Sequence, residues 1–500
     1  MQQLRIDSIL AGLARSRPGR WAITFKDTRL DFAGLEAQAA RMAGWLASRG
    51  VGSGDRVAIY ARNHPESFIL LFAASRIGAM MVPLNWRLSE EELAWQLADA
   101  APSMLLYGAD FAGIAGKLAS HAGCPGFEIG TKLDAARESH GMEAEEGPGG
   151  PDAELMVVYT SGTTGRPKGA VLAQAAMRAN AEMSHHAYAM TPDDHVLNIL
   201  PLFHVGGLNI QPLPALLAGA GVVIHDGFDP AAVLSAIRAE GITQITVVPT
   251  ILSALLAAPE WTEADLSSLR MMAIGSTDVP VALIEAVHAR GIPVVQVYGA
   301  TETSPTAIYQ TADIATATVG SIGRAGSRCE IRITGDDGTE LPVGEVGEIR
   351  VRGDNILTRY WNNEAASTES IADGWFRTGD QGFFDADGYL KITGRLKEII
   401  NRGGEKVSPL EVDNVLMEHP AVQQVVTFAV ADKMLGEEIG AAVVLADGGD
   451  LDAAGLRAYA GEHLAKFKIP KHVVFVTEIP KGATGKLQRI GLAEKLGLGD

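Results

Sequence analysis

Short apolar runs alternate along this chain with stretches in which apolar residues recur every three or four positions, which predicts strands and amphipathic helices in succession. Asp31 to Arg49 has the helical spacing, with Gly50 behind it as a C-terminal stop. Val57-Ala58-Ile59-Tyr60 then reads as a buried strand. A helix over Glu66–Ile77, a strand over Met80–Leu84, a helix over Glu90–Ala98 and a strand over Ser103–Tyr107 continue the pattern. Leu155-Met156-Val157-Val158 is a further buried strand. Beyond it come helix Ala175–Ala187, strand Val196–Leu200, helix Leu208–Leu217, strand Val222–His225, helix Pro230–Ala239, strand Gln244–Val248 and, later, strand Val294–Tyr298. Repeated strand-then-helix units predict parallel sheet covered by helices.

The pattern changes past residue 325, where glycine-punctuated alternation such as Glu330–Thr334 and Gly347–Val351 predicts a smaller β-rich subdomain. Near Gly394 a new unit begins, with helix Pro409–Met417, strands around Gln424–Val430 and Gly440–Leu445, helix Ala453–Ala465 and strand His472–Val476. Roughly a hundred residues are enough for a separate core. The expected class is α/β: a large N-terminal domain, residues 1–394, of parallel-rich sheets with helices plus a β-rich subdomain, and a small α+β C-terminal domain, residues 395–500. The acidic, turn-rich run from Glu143 to Pro151 reads as a surface connection.

Composition narrows the function. Hydrophobic content of 47% with 20% charged residues predicts a soluble globular protein. A net charge of -18 argues against nucleic acid or an anionic membrane surface as partner, so any phosphate-bearing ligand must be met by local charge. Cys124 and Cys329 lie far apart without metal-ligand spacing, which predicts free thiols in a reducing compartment. The most apolar long run, Phe68 to Leu84, is interrupted by Arg76 and reads as a buried helix passing into a strand, not as a membrane span. The N-terminus lacks the unbroken apolar segment of a signal peptide, so a cytoplasmic location is expected.

Candidate chemistry starts at Tyr159-Thr160-Ser161-Gly162-Thr163-Thr164-Gly165-Arg166-Pro167-Lys168-Gly169, which follows a predicted strand directly. Its glycines allow turns that point successive backbone N–H groups at one anion, its hydroxyls add donors and Lys168 adds charge. A phosphate grip is expected in preference to a plain flexible loop. The common NTPase loop is excluded, because Lys168 lies between Pro167 and Gly169. Two further polar clusters, Pro201-Leu202-Phe203-His204-Val205-Gly206-Gly207 and Tyr298-Gly299-Ala300-Thr301-Glu302-Thr303, also follow predicted strands, as does Gly275-Ser276-Thr277. They should gather at the sheet end where open α/β folds bind ligands. Phe376-Arg377-Thr378-Gly379-Asp380 and Gly394-Arg395-Leu396-Lys397-Glu398 flank the expected domain boundary. The small domain adds Asn401-Arg402-Gly403-Gly404-Glu405-Lys406 and Pro480-Lys481-Gly482-Ala483-Thr484-Gly485-Lys486. On composition alone His204 is a packed residue, Glu302 a solvated acid, Asp380 with Arg395 a surface ion pair and the Lys486 loop merely basic.

In this order, and over about residues 20–490, these runs resemble the adenylate-forming superfamily of acyl- and aryl-CoA synthetases, peptide-synthetase adenylation domains and beetle luciferases. The likeness is greatest to bacterial fatty-acyl-CoA and hydroxycinnamoyl-CoA synthetases. It implies that Thr160, Ser161, Gly162, Thr163, Thr164, Gly165 and Lys168 hold the ATP phosphates and that Glu302 is the Mg²⁺ ligand. Thr301 would meet the α-phosphate, and Tyr298 beside Gly299 would stack on adenine. Gly275, Ser276 and Thr277 would wall the adenine side, although Thr277-Asp278 stand where Ala-Pro is usual and leave the purine contacts open there. Asp380 would accept the ribose hydroxyls, and Arg395 would reach ribose and phosphate. Lys397 falls at the hinge that makes the C-terminal domain of such enzymes mobile.

The same likeness makes Lys486 the catalytic lysine between substrate carboxylate and α-phosphate, acting with Thr160, Glu302 and His204; Lys481 stands where arginine is commoner. Gly403 and Gly404 would line the pantetheine arm of CoA, while Arg87, Phe467 and Lys468 would take its nucleotide. His204 would border and gate the acyl pocket, whose wall draws on Val205, Gly206, Gly207, Leu208 and Asn209 and, from later in the chain, Val297, Gly299, Ala300 and Thr306. The implied activity is that of an AMP-forming acid–thiol ligase using ATP, Mg²⁺ and coenzyme A: an acid and ATP give acyl-adenylate and pyrophosphate, and CoA then gives acyl-CoA and AMP. A stand-alone enzyme loading an amino or other acid onto a carrier is the alternative; a luciferase-like oxygenase and an inactive binding protein are less well supported. The expected partners are a small carboxylate, ATP and CoA, without nucleic acid or integral membrane association, and a homodimer is compatible with the sequence. No arginine occurs among the wall residues, so a second carboxylate would be left unpaired and a fatty chain or aromatic ring fits better.

Overall fold

The computed structural model describes residues 4–138, 150–160, 166–275, 279–480 and 488–498. The chain forms two compact units, one of Met1–Ile331 with Val351–Phe376 and one of Arg332–Arg350 with Arg377–Asp500. Residues 332–350 and 377–394, grouped by the sequence reading with the large domain, thus cluster with the second unit. The passages between units fall inside the strands Cys329–Thr334, Gly347–Gly353 and Trp375–Phe384, where no turn-rich linker marks them.

The first unit holds two sheets. The nine-stranded one has a parallel run of six strands, Val294–Tyr298, Met271–Gly275, Gln244–Val247, His195–Asn198, Gly221–Ile224 and Trp21–Phe25, with antiparallel strands at either edge. The seven-stranded one runs Arg359–Tyr360, Lys168–Ala173, Glu154–Thr160, Met80–Pro83, Arg56–Tyr60, Met104–Tyr107 and Gly126–Glu128. One apolar cluster joins them, with Val222, Ala273 and Val295 from the first sheet and Ile59, Met81 and Met156 from the second. At its heart is the helix Glu66–Ile77, apolar on nearly every side, in which every residue except Arg76 is buried. Arg76 leaves the core by pairing with Glu36 and Asp7. Among the described residues no helix is long and apolar enough to cross a membrane.

Helices Glu66–Ile77, Pro230–Ala239 and Pro409–Met417 and strand Val294–Tyr298 have the bounds that periodicity predicts. The expected single helix Leu208–Leu217 is instead two, Val205–Asn209 and Pro212–Ala218. Pro212 lacks an N–H and disfavours helical geometry in the residue before it, so it ends one helix and opens the next. Strand Lys168–Ala173 has no counterpart among the expected elements, because its short apolar run leads straight into helix Gln174–Ala187.

A strap formed by residues 355–361 reaches both sheets. The fully buried Asn355 amide donates to the carbonyls of Thr303 (3.1 Å) and Thr306 (2.9 Å), in the loop after strand Val294–Tyr298, and Leu357 N donates to Glu302 O at 2.7 Å. Arg359–Tyr360 then pairs with Ala170–Val171 in the other sheet, Trp361 N donates to Gly169 O at 2.7 Å, and the Arg359 guanidinium grips Glu154 through two 2.8 Å bonds.

The second unit carries a sheet ordered Glu405–Val407, Ile400–Arg402, Gly436–Leu445 and Val422–Asp432, with His472–Phe475 parallel to Gly436–Leu445. Helices Pro409–Met417 and Ala453–His463 pack with one another and contribute to its own core of Ile400, Val412, Leu416, Ile439 and Leu456. The α+β expectation for the C-terminal part therefore holds.

Asn355→Ala removes both amide donors from buried carbonyls, and a loss of about 2 kcal/mol in urea-unfolding free energy is expected. A change below roughly 0.5 kcal/mol would show that these strap bonds do not secure the loop.

Candidate active site

The two ends of the Tyr159–Gly169 run lie on paired strands of a β-hairpin. Glu154–Thr160 and Lys168–Ala173 pair antiparallel, and Thr160 faces Lys168 in register. Ser161, Gly162, Thr163, Thr164 and Gly165 lie outside the described residues. Thr160 and Lys168 are thereby held one strand spacing apart, about 5 Å. Tyr159 is fixed by a 2.6 Å bond from its hydroxyl to Asp99, and burial first, then Asp99, push its pKa well above the ordinary value, so it remains a donor. Thr160 Oγ1 lies 3.3 Å from Lys168 O and 3.5 Å from Glu302 Oε1, which joins residues 142 apart in sequence. The Lys168 ammonium sits 5.3 Å from the centroid of the Tyr360 ring.

Glu302 stands in the one-turn 3₁₀ helix Thr301–Thr303 that follows strand Val294–Tyr298. The turn is shaped by its neighbours: a Cβ on Gly299 would lie 1.6 Å from Pro305 O, so only glycine fits. Ala300 N donates to Thr303 Oγ1, and that hydroxyl donates on to Pro305 O, both at 2.9 Å. The Tyr360 hydroxyl donates to Glu302 Oε1 at 2.9 Å. No group of three or more His, Cys, Asp or Glu side chains suited to a metal occurs among the described residues. A single carboxylate among hydroxyls fits Mg²⁺, which prefers one or two carboxylates together with phosphate oxygens. Tyr298 and Thr301 are buried alongside, and Gly275 packs so closely that a Cβ would meet Val297 O at 2.4 Å. Ser276 and Thr277 lie outside the described residues.

His204 caps helix Val205–Asn209: its Nδ1 accepts from Gly206 N at 3.2 Å, which leaves Nε2 to carry the proton of a neutral ring. Val205, Leu208 and Asn209 are buried behind it. Asn180, on helix Gln174–Ala187, ties this short helix to the Glu302 loop, donating to Asn209 O (2.6 Å) and accepting from Thr306 N (3.0 Å). Asn209 itself donates to Ser304 O at 3.1 Å. Leu208, Asn209 and Thr306 are thus sealed from solvent, Val297 nearly so, while Gly206 and Ala300 are partly exposed. Arg87 lies over the rings of Trp86 (4.9 Å) and Phe203 (5.8 Å), with Arg62 also 4.7 Å from the Trp86 centroid. Burial, then the Arg62 charge, hold the Arg87 pKa below its usual value.

In the second unit Asp380 is buried and accepts from Arg395 Nε at 2.5 Å across paired strands. Lys397 falls in the turn Leu396–Glu398. Glu398 pairs with Arg489, which also reaches Asp413 and donates to Thr427 O. Gly403 and Gly404 make the turn between Ile400–Arg402 and Glu405–Val407 with φ of 61° and 94°, a conformation that favours glycine. Phe467 and Lys468 share the turn Lys466–Lys468, where Lys468 is ion-paired with Glu411. Lys481 and Lys486 lie outside the described residues.

Residues 11–361 match the AMP-binding enzyme family, and 411–486 match the AMP-binding enzyme C-terminal domain. The chain belongs to the AMP-binding enzymes. Within that family it is 43% identical to indoleacetate–CoA ligase of Aromatoleum aromaticum over 94% of each chain, and 38% identical to feruloyl-CoA synthase of Amycolatopsis over 97% of each. Its fold matches that of o-succinylbenzoate coenzyme A synthetase from Bacillus subtilis in complex with ATP and magnesium ion, with a TM-score of 0.85 at 33% identity, over 97% of this chain and 98% of the other. It is an AMP-forming acid–CoA ligase of the adenylate-forming superfamily.

Tyr360, Asn180, Asn355 and Asp99 were missed by sequence reasoning, since none stands in a glycine-marked run. The two glycines after His204 make opposite predictions. A Cβ on Gly206 meets only His204 Nδ1 (3.5 Å) and Ile210 Cδ1 (3.9 Å), whereas one on Gly207 would sit 2.2 Å from Pro201 O. Gly206→Ala is expected to keep the wild-type urea midpoint, and Gly207→Ala to lose about 2 kcal/mol or more. Equal losses would contradict this placement of the short helix.

Proposed function

We propose that this AMP-binding enzyme converts a monocarboxylic acid with an apolar, ring-bearing body into its CoA thioester. In the first half-reaction the substrate carboxylate attacks the α-phosphorus of ATP and pyrophosphate leaves. Charge grows on the phosphoryl oxygens, so fixed donors and cations supply most of the acceleration. Thr160, the hydroxyls and amides of 161–165 and Lys168 hold the leaving phosphates, and Thr301 meets the α-phosphate. Glu302 would hold Mg²⁺, which when bound neutralises phosphate charge. Tyr298 and Gly275 flank the adenine, and Asp380 with Arg395 serves the ribose. Lys486 offsets the two meeting anions, and His204 presents its Nε2–H edge to the carboxylate. In the second half-reaction the C-terminal domain, hinged at Lys397, withdraws Lys486, because a lysine and a thiol cannot share one approach to the carboxyl carbon. The CoA thiol then enters past Gly403 and Gly404, attacks the acyl carbon and expels AMP. Arg87, Phe467 and Lys468 take the CoA nucleotide.

The observation that carries this reading is the 3.5 Å approach of Thr160, at the phosphate hairpin, to Glu302. It supports one site for the hairpin expected to grip phosphate and the carboxylate expected to hold the metal. The ring-bearing substrate is supported by the indoleacetate and feruloyl relatives. It is supported too by the apolar character of Val205, Leu208 and Val297 at the acyl end.

CoA-dependent AMP formation is to be measured over indoleacetate, ferulate, a long-chain fatty acid and malonate. A ring-bearing acid should be best, and malonate as the best substrate would sink the assignment. Pyrophosphate release coupled to loading of a carrier protein, with no thioester from CoA, would favour the carrier-loading alternative. Lys486→Ala should slow adenylate formation by roughly 10²–10³-fold while thioester formation from supplied acyl-adenylate stays largely intact. Equal loss in both halves would refute the division of labour between Lys486 and the glycine turn.

A further inference from the structure

Tyr360 belongs to none of the glycine-marked runs, yet it touches two of the groups to which the proposed chemistry is given. It is buried in the edge strand Arg359–Tyr360, with its hydroxyl 2.9 Å from Glu302 Oε1 and its ring centroid 5.3 Å from the Lys168 ammonium. Its own position is fixed by neighbours: Tyr360 N donates to Ser367 Oγ (2.9 Å), Leu357 N to Glu302 O (2.7 Å) and Trp361 N to Gly169 O (2.7 Å). The terminal torsion of a glutamate is broad and roughly two-fold, and an unrestrained carboxylate would have to be ordered each time a cation bound. A hydrogen bond to one oxygen removes that freedom and sets the direction of the other, as outer partners of metal ligands commonly do.

We propose that Tyr360 is a positioning residue for metal–nucleotide binding: its hydroxyl orients the Glu302 carboxylate toward Mg²⁺ arriving with ATP, and its ring face holds the Lys168 ammonium beside it. The inference rests on Glu302 being the metal ligand. Phe at this position keeps the ring and removes only the hydroxyl; Leu removes both.

The test is equilibrium binding of ATP to the full chain, by calorimetry, over graded Mg²⁺. With Tyr360→Phe the Mg²⁺ concentration at half-maximal effect should rise roughly tenfold, the effect of losing an outer partner of a metal ligand. ATP binding without Mg²⁺ should stay at the wild-type value. Tyr360→Leu should in addition weaken Mg²⁺-free ATP binding, because the Lys168 contact is lost as well. In a Glu302→Gln background, Tyr360→Phe should shift the Mg²⁺ dependence no further. The proposal fails if Tyr360→Phe leaves the Mg²⁺ midpoint in place while Glu302→Gln moves it, or if the two shifts add in full. If Glu302→Gln itself leaves the midpoint unmoved, the metal-ligand assignment falls, and this inference with it.

Discussion

The strap from Asn355 to Trp361 is the constraint on which the first unit's site depends. Two sheets meet there through buried backbone and amide bonds, and the groups on either side come from different sheets: Thr160 and Lys168 from a hairpin, Glu302 from the loop after a parallel strand. Apolar packing alone would bring the sheets together without fixing their register, since burial is non-directional. Hydrogen bonds to Glu302 O, Val171 O and Gly169 O supply the direction. Because the acceptors are main-chain carbonyls, the register does not depend on which side chains surround them.

The same economy of parts recurs at the acyl end. Asn180 spans from the short helix that His204 caps to the loop that carries Glu302, so one buried amide fixes the spacing of those two elements. Gly299 and Gly207 complete it by letting backbone approach backbone where any side chain would collide with a carbonyl.

Much of this was legible in the sequence, and the part that was not has a physical cause. Periodicity located the enclosed helix Glu66–Ile77 and the strand carrying Tyr298, because burial on all sides or at a sheet centre leaves a long apolar record. A glycine-marked run located the Glu302 turn, since close approaches write glycine into the chain. Tyr360 and Asn355 left no such mark. Asn355-Ile356-Leu357-Thr358-Arg359-Tyr360-Trp361 has neither a period nor a glycine, and its role is made entirely by partners distant in sequence. Asn180 is hidden for the opposite reason, being one more polar position in a regular helix. The break at Pro212 was written in the sequence, and the apolar run across it outweighed the proline in the reading.

Trp86, with two guanidiniums near its ring, has a consequence for how the protein meets its ligands. The chain as a whole carries -18, so its far field repels polyanions, whereas Arg62 and Arg87, even with Asp110 paired to Arg62, leave a small net-positive island. These opposing effects act over different ranges. Salt at physiological strength screens exposed charges beyond about 8 Å, which removes the repulsion felt during approach but leaves close contacts to a partly buried arginine largely intact. Association of an anionic ligand with this island should therefore quicken as salt is raised from very low levels, opposite in sign to the behaviour of a protein that draws anions in with its overall charge.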